Sequence, residues 1–238
     1  MMPGGATSAA GHYLVAMTLS PMRIVRLLAV GAVLAGVVLT AAGPATVTGL
    51  LPFFTIQSNV AYGIFAAWAA FRRRDTSPVL KGAVTLYVAI TGLVYHLVLN
   101  NPASGFAAGP VERTLPDAIG NQFLHTVVPL LAVLDWLVFD ERGRFRWRYA
   151  LYWLAFPLGY LAFALVRGLV VDRYPYPFID VNELGYDGVS ISSVGFAVAF
   201  WILGLLFVAI DRWGGRRRRR RVPDQRPPET TVRDAAGV

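Results

Sequence analysis

Six long apolar segments constrain the fold of this chain more than any other feature of its sequence. They run from Ile24 to Ala42, Leu51 to Phe71, Val79 to Leu99, Gly120 to Phe139, Tyr149 to Val171, and Ser190 to Ile210. A helix needs about 20 apolar residues to cross the hydrocarbon of a bilayer, and each segment has roughly that length. In lipid, only helices and closed barrels satisfy their own backbone hydrogen bonds. The sequence therefore predicts an all-α fold, a polytopic membrane bundle of six transmembrane helices.

The composition agrees with lipid as the solvent. The chain is 55% hydrophobic and only 15% charged, with a mean hydropathy of +0.52, whereas about a quarter of the residues of a soluble domain are charged. It contains no cysteine. That absence excludes disulfides, thiolate nucleophiles and cysteine-ligated zinc.

Basic residues alternate along the connectors and predict the orientation of the bundle. They cluster at Arg23 and Arg26, at Arg72 to Arg74 with Lys81, at Arg142 to Arg148, and at Arg216 to Arg221. The remaining connectors carry only Arg113 and Arg173. Because cytoplasmic loops are enriched in lysine and arginine, we expect a multi-pass protein of the cell membrane with both termini in the cytoplasm.

The ends of the chain differ from the bundle in composition. We expect a disordered leader over residues 1–22, a transmembrane domain over 23–212, and a basic, disordered cytoplasmic tail over 213–238. The first span also has signal-peptide features, but its apolar core of about 19 residues exceeds a usual h-region, so we predict a retained anchor. An internal start at Met17 or Met22 is an alternative.

The arginine-rich tail is interpreted first as a topology anchor. Its alternative role is binding to anionic lipid headgroups on the cytoplasmic leaflet. Nucleic acid is disfavoured as a partner, because neither interleaved aromatic residues nor a binding fold accompanies the charge.

Polar residues inside the spans share one layer near the outer ends of their helices. At about 1.5 Å per residue, Thr55, His96 and His125 lie about 6 to 7 Å below those ends, and Arg167 joins them. An ionisable residue at membrane depth is by default a candidate functional residue. We therefore expect the site near the outer leaflet.

Three polar residues in or near this layer suit nucleophilic chemistry. Thr55 supplies a hydroxyl, Asn59 shares its helix face as a polar stabiliser, and His125 supplies a base that titrates near neutral pH. A lone intramembrane threonine more commonly bonds a backbone carbonyl of its own helix, so composition alone leaves both interpretations open.

The other polar residues have structural alternatives. His96 supports the site or simply joins two helices. Arg167 pairs with Asp172 or Glu183, reaches the surface, or holds a substrate carboxylate or phosphate. Asp135 lies about 15 Å along its helix from the histidine of the same span, so we expect it to pair near the cytoplasmic arginines. No metal-ligand spacing and no phosphate-binding loop is present, and we predict neither a metal nor a cofactor.

Three segments carry a family resemblance. They are the block Phe53 to Asn59, the segment His125 to Pro129 leading to Asp135-Trp136, and the loop Tyr174 to Asp180. These resemble actinobacterial six-helix proteins of the Pr-six-Pr group, which are similar to the androgen-induced gene and androgen-dependent TFPI-regulating membrane proteins of eukaryotes. The resemblance covers the chain from the first span to the sixth.

The resemblance implies an intramembrane hydrolase that cleaves esters of fatty acids with hydroxy fatty acids. The implied nucleophile is a threonine that corresponds to Thr55, and the implied histidine corresponds to His125. The expected partner is thus a membrane lipid or lipid ester. The alternatives are a protein that binds lipid or transports a small solute without catalysis, and a purely structural scaffold.

Overall fold

Helices make up the fold of the residues that the computed structural model describes, which are 20–43, 47–72, 76–109 and 112–221. The predicted leader up to residue 19 and the tail from residue 222 lie outside the described residues. The helices are α1 (Pro21–Ala41), α2 (Val47–Leu50), α3 (Phe54–Phe71), α4 (Pro78–Val94), α5 (Leu115–Gln122), α6 (Val128–Phe139), α7 (Tyr149–Tyr152), α8 (Ala155–Val171) and α9 (Val181–Arg221).

Local sequence signals explain where several helices begin. Ser20 caps α1 by accepting a hydrogen bond from the backbone N–H of Arg23, and Thr114 caps α5 in the same way through Asp117. Each cap is followed by a proline in the first turn, where the missing N–H costs nothing. In the last helix, Gly185 has a φ of 65° and marks a break within α9. Glycine is the residue that adopts this conformation most readily.

Two π-helical turns interrupt the long helices, one at Tyr95–Leu99 after α4 and one at Phe123–Val127 between α5 and α6. Pro129 explains the second turn, because a proline ring clashes with the carbonyl four residues earlier, which is that of His125. Widening the helix by one residue relieves this clash, and such turns often occur at functional sites.

The bundle buries several polar residues beside its apolar core and exposes large apolar residues on its outer face. Ser58, Asn59 and Thr85 are completely buried, whereas Leu34 on α1 and Val170 on α8 are 62% and 79% exposed. In water, the exposed apolar side chains and the buried polar side chains would both cost free energy. It fits a protein whose outer face contacts lipid.

Five helical segments are long and apolar enough to cross a membrane, counting only the described part of the chain. They are Pro21–Ala41, Pro78–Leu99, Leu115–Phe139, Tyr149–Val171 and Val181–Arg217. They correspond to all the predicted spans except the second. That span forms α3, an 18-residue helix that begins with the polar run Thr55 to Asn59. These polar side chains lower its hydropathy, and most of them are buried between the other helices.

The ends of the bundle differ from the sequence prediction. Helix α1 begins at Pro21, and α9 continues to Arg221, beyond the predicted boundary at residue 212. Helix α5 begins at Leu115, five residues before the predicted start of the fourth span at Gly120. The reason is that capping and backbone hydrogen bonds extend helices into polar flanks that a hydropathy criterion leaves out.

A buried ion-pair cluster lies at the end of the bundle opposite Thr55. The Arg26 Nε lies 3.2 Å from an Asp135 carboxylate oxygen, and the same carboxylate binds the Lys81 ammonium. Asp140 completes the cluster, 3.3 Å from Arg26 and 3.5 Å from Lys81. Arg26 also donates to the carbonyl of Ala69 on α3. The cluster thus connects α1, α3, α4 and the end of α6.

This cluster changes the interpretation of two basic residues. Arg26 and Lys81 were expected in connectors as topology signals, but both lie inside helices and are only 4% and 2% exposed. Two cations face two carboxylates, so burial creates no net charge. The expectation that Asp135 pairs near the cytoplasmic arginines is confirmed for Arg26, and Lys81 is a second partner.

Candidate functional site

Thr55 lies in the first turn of α3, where backbone N–H groups have no partner within the helix. Its side chain is buried, with 7% of the residue exposed. The aligned peptide dipoles give a helix N-terminus a partial positive charge. The N-terminus of α3 therefore stabilises a negative charge that develops on or near the Thr55 Oγ1.

His125 contacts Thr55 directly. Its Nε2 lies 3.2 Å from the Thr55 Oγ1, and its Nδ1 lies 3.0 Å from the backbone carbonyl oxygen of Asn121. A carbonyl only accepts, so Nδ1 carries the proton in this contact, and the Nε2 lone pair is left to face the hydroxyl. This is the tautomer that a general base requires.

The imidazole is also held in place by its neighbours. The Tyr95 ring lies on it with a centroid distance of 4.2 Å, and Asn121 donates to the Tyr95 hydroxyl at 2.7 Å. The backbone of His125 also packs closely against α4, since a Cβ added to Gly92 would lie only 3.0 Å from the His125 carbonyl oxygen. Glycine therefore permits the close approach of α4 to the π-helical turn that carries the histidine.

Tyr176 is the third side chain at the threonine hydroxyl. Its OH lies 3.3 Å from the Thr55 Oγ1 and accepts a hydrogen bond of the same length from the Thr55 N–H. Burial raises the pKa of Tyr176, so its phenol stays protonated at neutral pH and can donate. Tyr176 stacks on Phe178 and meets Phe53 edge-on, contacts that hold its ring over the site.

Asn59 lies beside the site without reaching the Thr55 hydroxyl. Its Nδ2 donates to the carbonyl oxygens of Thr55 and Leu124, at 2.8 and 3.2 Å. One amide thereby joins the first turn of α3 to the π-helical turn of His125. The structure assigns Asn59 a positioning contact in place of the expected contact with a charged intermediate.

Two predicted supporting residues lie outside this group. His96 is exposed on the bundle, and its Nε2 lies 2.9 Å from the Thr126 Oγ1, a contact that joins two helical segments. The Arg167 guanidinium donates to the backbone carbonyl of Arg173 at 3.1 Å, not to Asp172 or Glu183. Asp172 instead accepts from Asn182. Neither His96 nor Arg167 lines a cavity at Thr55.

Two cavities meet at Thr55, His125 and Tyr176. The first, of about 80 Å³, runs between α3, α4, α8 and α9 and is almost entirely apolar. Its wall includes Ile90, Leu158 and Phe196. We call it the apolar chamber. The second, of about 560 Å³, is bordered by the segments on either side of α5 and by the loop before Tyr176, and we call it the polar chamber.

Sequence reasoning assigned no role to Tyr176, although it lies within one of the three segments that carry the family resemblance. A tyrosine in a connector is usually an interfacial anchor, so the residue type alone did not indicate a role at the site. The two flanking prolines, Pro175 and Pro177, were the available indication of a rigid loop.

No protein-family model matches this chain, and comparisons with curated proteins and with solved structures found no match.

Proposed function

We propose that this protein is an intramembrane hydrolase of lipid esters, with Thr55 as the nucleophile and His125 as the general base. The observation that carries the proposal is the 3.2 Å contact between the Thr55 Oγ1 and an imidazole nitrogen whose partner nitrogen bonds the Asn121 carbonyl. A nucleophile, a base and a group that orients the base form the chain of contacts typical of covalent catalysis. The resemblance of the sequence to the androgen-induced gene family supports the same two residues.

The reaction follows from these contacts. The His125 Nε2 takes the proton of the Thr55 hydroxyl as the oxygen attacks the ester carbonyl carbon. The C–O bond to the alcohol then breaks, and the imidazolium returns its proton to the departing oxygen. Water, activated by the same nitrogen, cleaves the acyl-threonine, and the threonine hydroxyl is restored.

Tyr176 and the N-terminus of α3 stabilise the oxyanion in this scheme. The phenol already lies at hydrogen-bond distance from the Thr55 oxygen, and the first-turn N–H of Thr55 donates to the phenol oxygen, which leaves the phenol proton free to be donated at the site. Donors fixed before the reaction cost no reorganisation when charge develops on the carbonyl oxygen.

The apolar chamber supports an acyl group as one part of the substrate, because its volume of about 80 Å³ suits the first few methylene groups next to the ester carbonyl. Its residues from α4, α8 and α9 are nearly all hydrophobic, and it opens beside the nucleophile. Burial of methylene groups contributes about 0.8 kcal/mol each, so a chain in this chamber binds without polar partners.

The proposal places the protein in the cell membrane with six crossings, α3 being the second. Alternation of the basic connectors supports cytoplasmic termini and a site near the outer leaflet. The arginine run at the end of α9 would then face the cytoplasm and contact anionic headgroups.

A covalent label tests the proposal. A lipid-like fluorophosphonate, which reacts with activated hydroxyls, is expected to modify Thr55 in the purified protein, as located by mass spectrometry of the labelled peptide. Thr55→Ala should remove the label and Thr55→Ser should keep it. Ser58→Ala is the matched control, because this buried hydroxyl lies on the same helix but contacts the Thr91 hydroxyl and the Thr55 backbone carbonyl, not the Thr55 hydroxyl.

Absence of any adduct, or an adduct on a residue other than Thr55, would contradict the hydrolase. Lipid binding without catalysis would then be the better account of the apolar chamber.

Removal of the phenol hydroxyl provides a separate prediction. Tyr176→Phe keeps the ring contacts but loses the donor, and kcat should fall about tenfold to a hundredfold, since an oxyanion donor contributes about that much or more. KM should change little. The check is steady-state hydrolysis of a lipid ester, with Tyr62→Phe as a control that removes a buried phenol hydroxyl outside both chambers. An unchanged kcat in Tyr176→Phe would exclude the phenol from catalysis.

A further inference from the structure

Two basic segments that are far apart in the sequence lie against each other at the end of the bundle that holds the ion-pair cluster. One is the connector after α6, residues 141–148, and the other is the last part of α9, residues 211–221. The Gly143 N–H donates to the carbonyl oxygen of Asp211 at 3.0 Å, and the Asp211 carboxylate accepts a second backbone N–H of the connector at 2.8 Å. A Cβ added to Gly215 would lie 2.7 Å from the Gly143 Cα. Close backbone contact therefore fixes the connector on α9.

This packing brings five arginine side chains into one surface, which we call the arginine patch. Its members are Arg146, Arg148, Arg212, Arg216 and Arg217. The two segments meet in the patch, because the Arg212 guanidinium lies 5.8 Å from the ring centre of Trp147 on the connector. Four members are exposed, Arg212 is half-buried, and none has an ion-pair partner among the described residues. Arg142 and Arg144 of the same connector are not members, since they donate to backbone carbonyls.

Few carboxylates oppose the charge of the arginine patch. Asp140 belongs to the buried ion-pair cluster, and Asp211 is completely buried against the connector. Glu141 is the exposed carboxylate of the two segments, so four of the five positive charges are left unbalanced in the described part of the chain. Arg212 and Arg216 are also four residues apart on α9, a spacing at which like charges repel. A bound anion would relieve this repulsion.

In the proposed membrane placement, the arginine patch lies at the depth of the lipid headgroups. The apolar part of α9 ends at Ile210, so residues 212–217 extend about 3 to 10 Å beyond it at about 1.5 Å per residue. The headgroup layer on each side of a bilayer is about 5 to 7 Å thick. Trp147 and Trp213 are 52% and 57% exposed, and the Arg217 guanidinium lies 3.6 Å from the Trp213 ring centre. Exposed tryptophans are typical of the interface between membrane and water.

We propose that the arginine patch is a binding site for the headgroup of an anionic phospholipid. Guanidinium groups bind phosphate oxygens through paired hydrogen bonds, and the two tryptophans lie where the glycerol and the first methylene groups of such a lipid would lie. The inference rests on the proposed membrane placement but not on ester hydrolysis. It goes beyond a headgroup contact of the terminal arginine run, because the connector residues 146–148 form part of the site.

The test compares the retention of two lipids by the detergent-solubilised full chain in native mass spectrometry. From an equimolar mixture of phosphatidylglycerol and phosphatidylcholine with the same acyl chains, we expect phosphatidylglycerol to be retained about thirtyfold or more in excess. Arg148→Gln combined with Arg212→Gln should lower this ratio about tenfold or more, since each arginine near an anionic surface contributes about fivefold. Arg148→Lys combined with Arg212→Lys keeps the charge and should lower the ratio by less than about threefold.

Arg72→Gln is the matched control and should leave the ratio unchanged. Arg72 is also exposed and also lies over a tryptophan, but that residue is Trp68 of its own helix, 4.3 Å away. Equal retention of the two lipids by the wild type would overturn the inference, as would an equal loss in the glutamine and lysine variants. Displacement of phosphatidylglycerol by the same concentration of inorganic phosphate would also overturn it, because the site would then bind any phosphate. None of these results bears on the hydrolase, which the Thr55 adduct tests separately.

Discussion

His125→Gln should lower kcat of lipid-ester hydrolysis by about 10³-fold or more, because the proposed reaction uses this histidine as the general base, a role that contributes about 10² to 10⁴, and as the acid that protonates the leaving alcohol. Glutamine approximates the size of the ring, so the π-helical turn and the stack against Tyr95 are disturbed as little as a substitution allows. Labelling of Thr55 by a fluorophosphonate should slow in parallel, because the threonine hydroxyl then lacks its proton acceptor.

The chain contains its own control for this experiment. His96 lies on the neighbouring π-helical turn, is exposed, and bonds Thr126 instead of Thr55. His96→Gln should therefore change kcat by less than about twofold, as expected for a surface substitution. Equal losses in the two variants would show that histidine substitutions act through the fold and would remove the support for a base at His125.

Asp135→Asn should destabilise the bundle by about 3–5 kcal/mol, the cost typical of breaking a buried pair from one side. Asp135 is 1% exposed and is shared by Arg26 and Lys81, which would both lose a counter-ion away from water. The expected result is a marked fall in the temperature at which the detergent-solubilised protein aggregates, followed by fluorescence-detected size-exclusion chromatography.

An exposed carboxylate provides the comparison. Asp187→Asn alters the same functional group on the exposed surface before the membrane-spanning part of α9, and its transition should stay within about 1 kcal/mol of the wild type. A double variant, Asp135→Asn with Lys81→Met, should recover part of the loss, because it removes one cation and leaves Arg26 paired with Asp140. A wild-type transition in Asp135→Asn would mean that the cluster contributes nothing to stability.

The proposed reaction takes place where the two chambers meet, whereas the ion-pair cluster stabilises the packing of the helices at the other end of the bundle. Thr55 lies in the first turn of α3, His125 lies in the π-helical turn between α5 and α6, and Asp135 lies about 15 Å farther along the helix of His125. The cluster holds α1, α4 and α6 together without entering either chamber. Substitutions in it should therefore affect stability before they affect the reaction.

Depth along a helix was predictable from the sequence, because each residue advances the chain by about 1.5 Å whatever the neighbouring helices do. Five of the predicted spans correspond to long apolar helices, and Thr55 and His125 were expected in one layer. The second span remains a proposal, because α3 is not among the five helical segments that are long and apolar enough to cross a membrane.

The direction in which each side chain points was decided by the tertiary structure. His96 and His125 were expected at the same depth, yet only His125 faces Thr55, because rotation about the helix axis depends on the π-helical turns and on the close approach at Gly92. Tyr176 comes from a connector 121 residues away from Thr55, and Arg26 reaches Asp135 across 109 residues. Residue order along a span determines depth, but contacts between distant segments depend on how the helices pack, and this packing involves the whole chain.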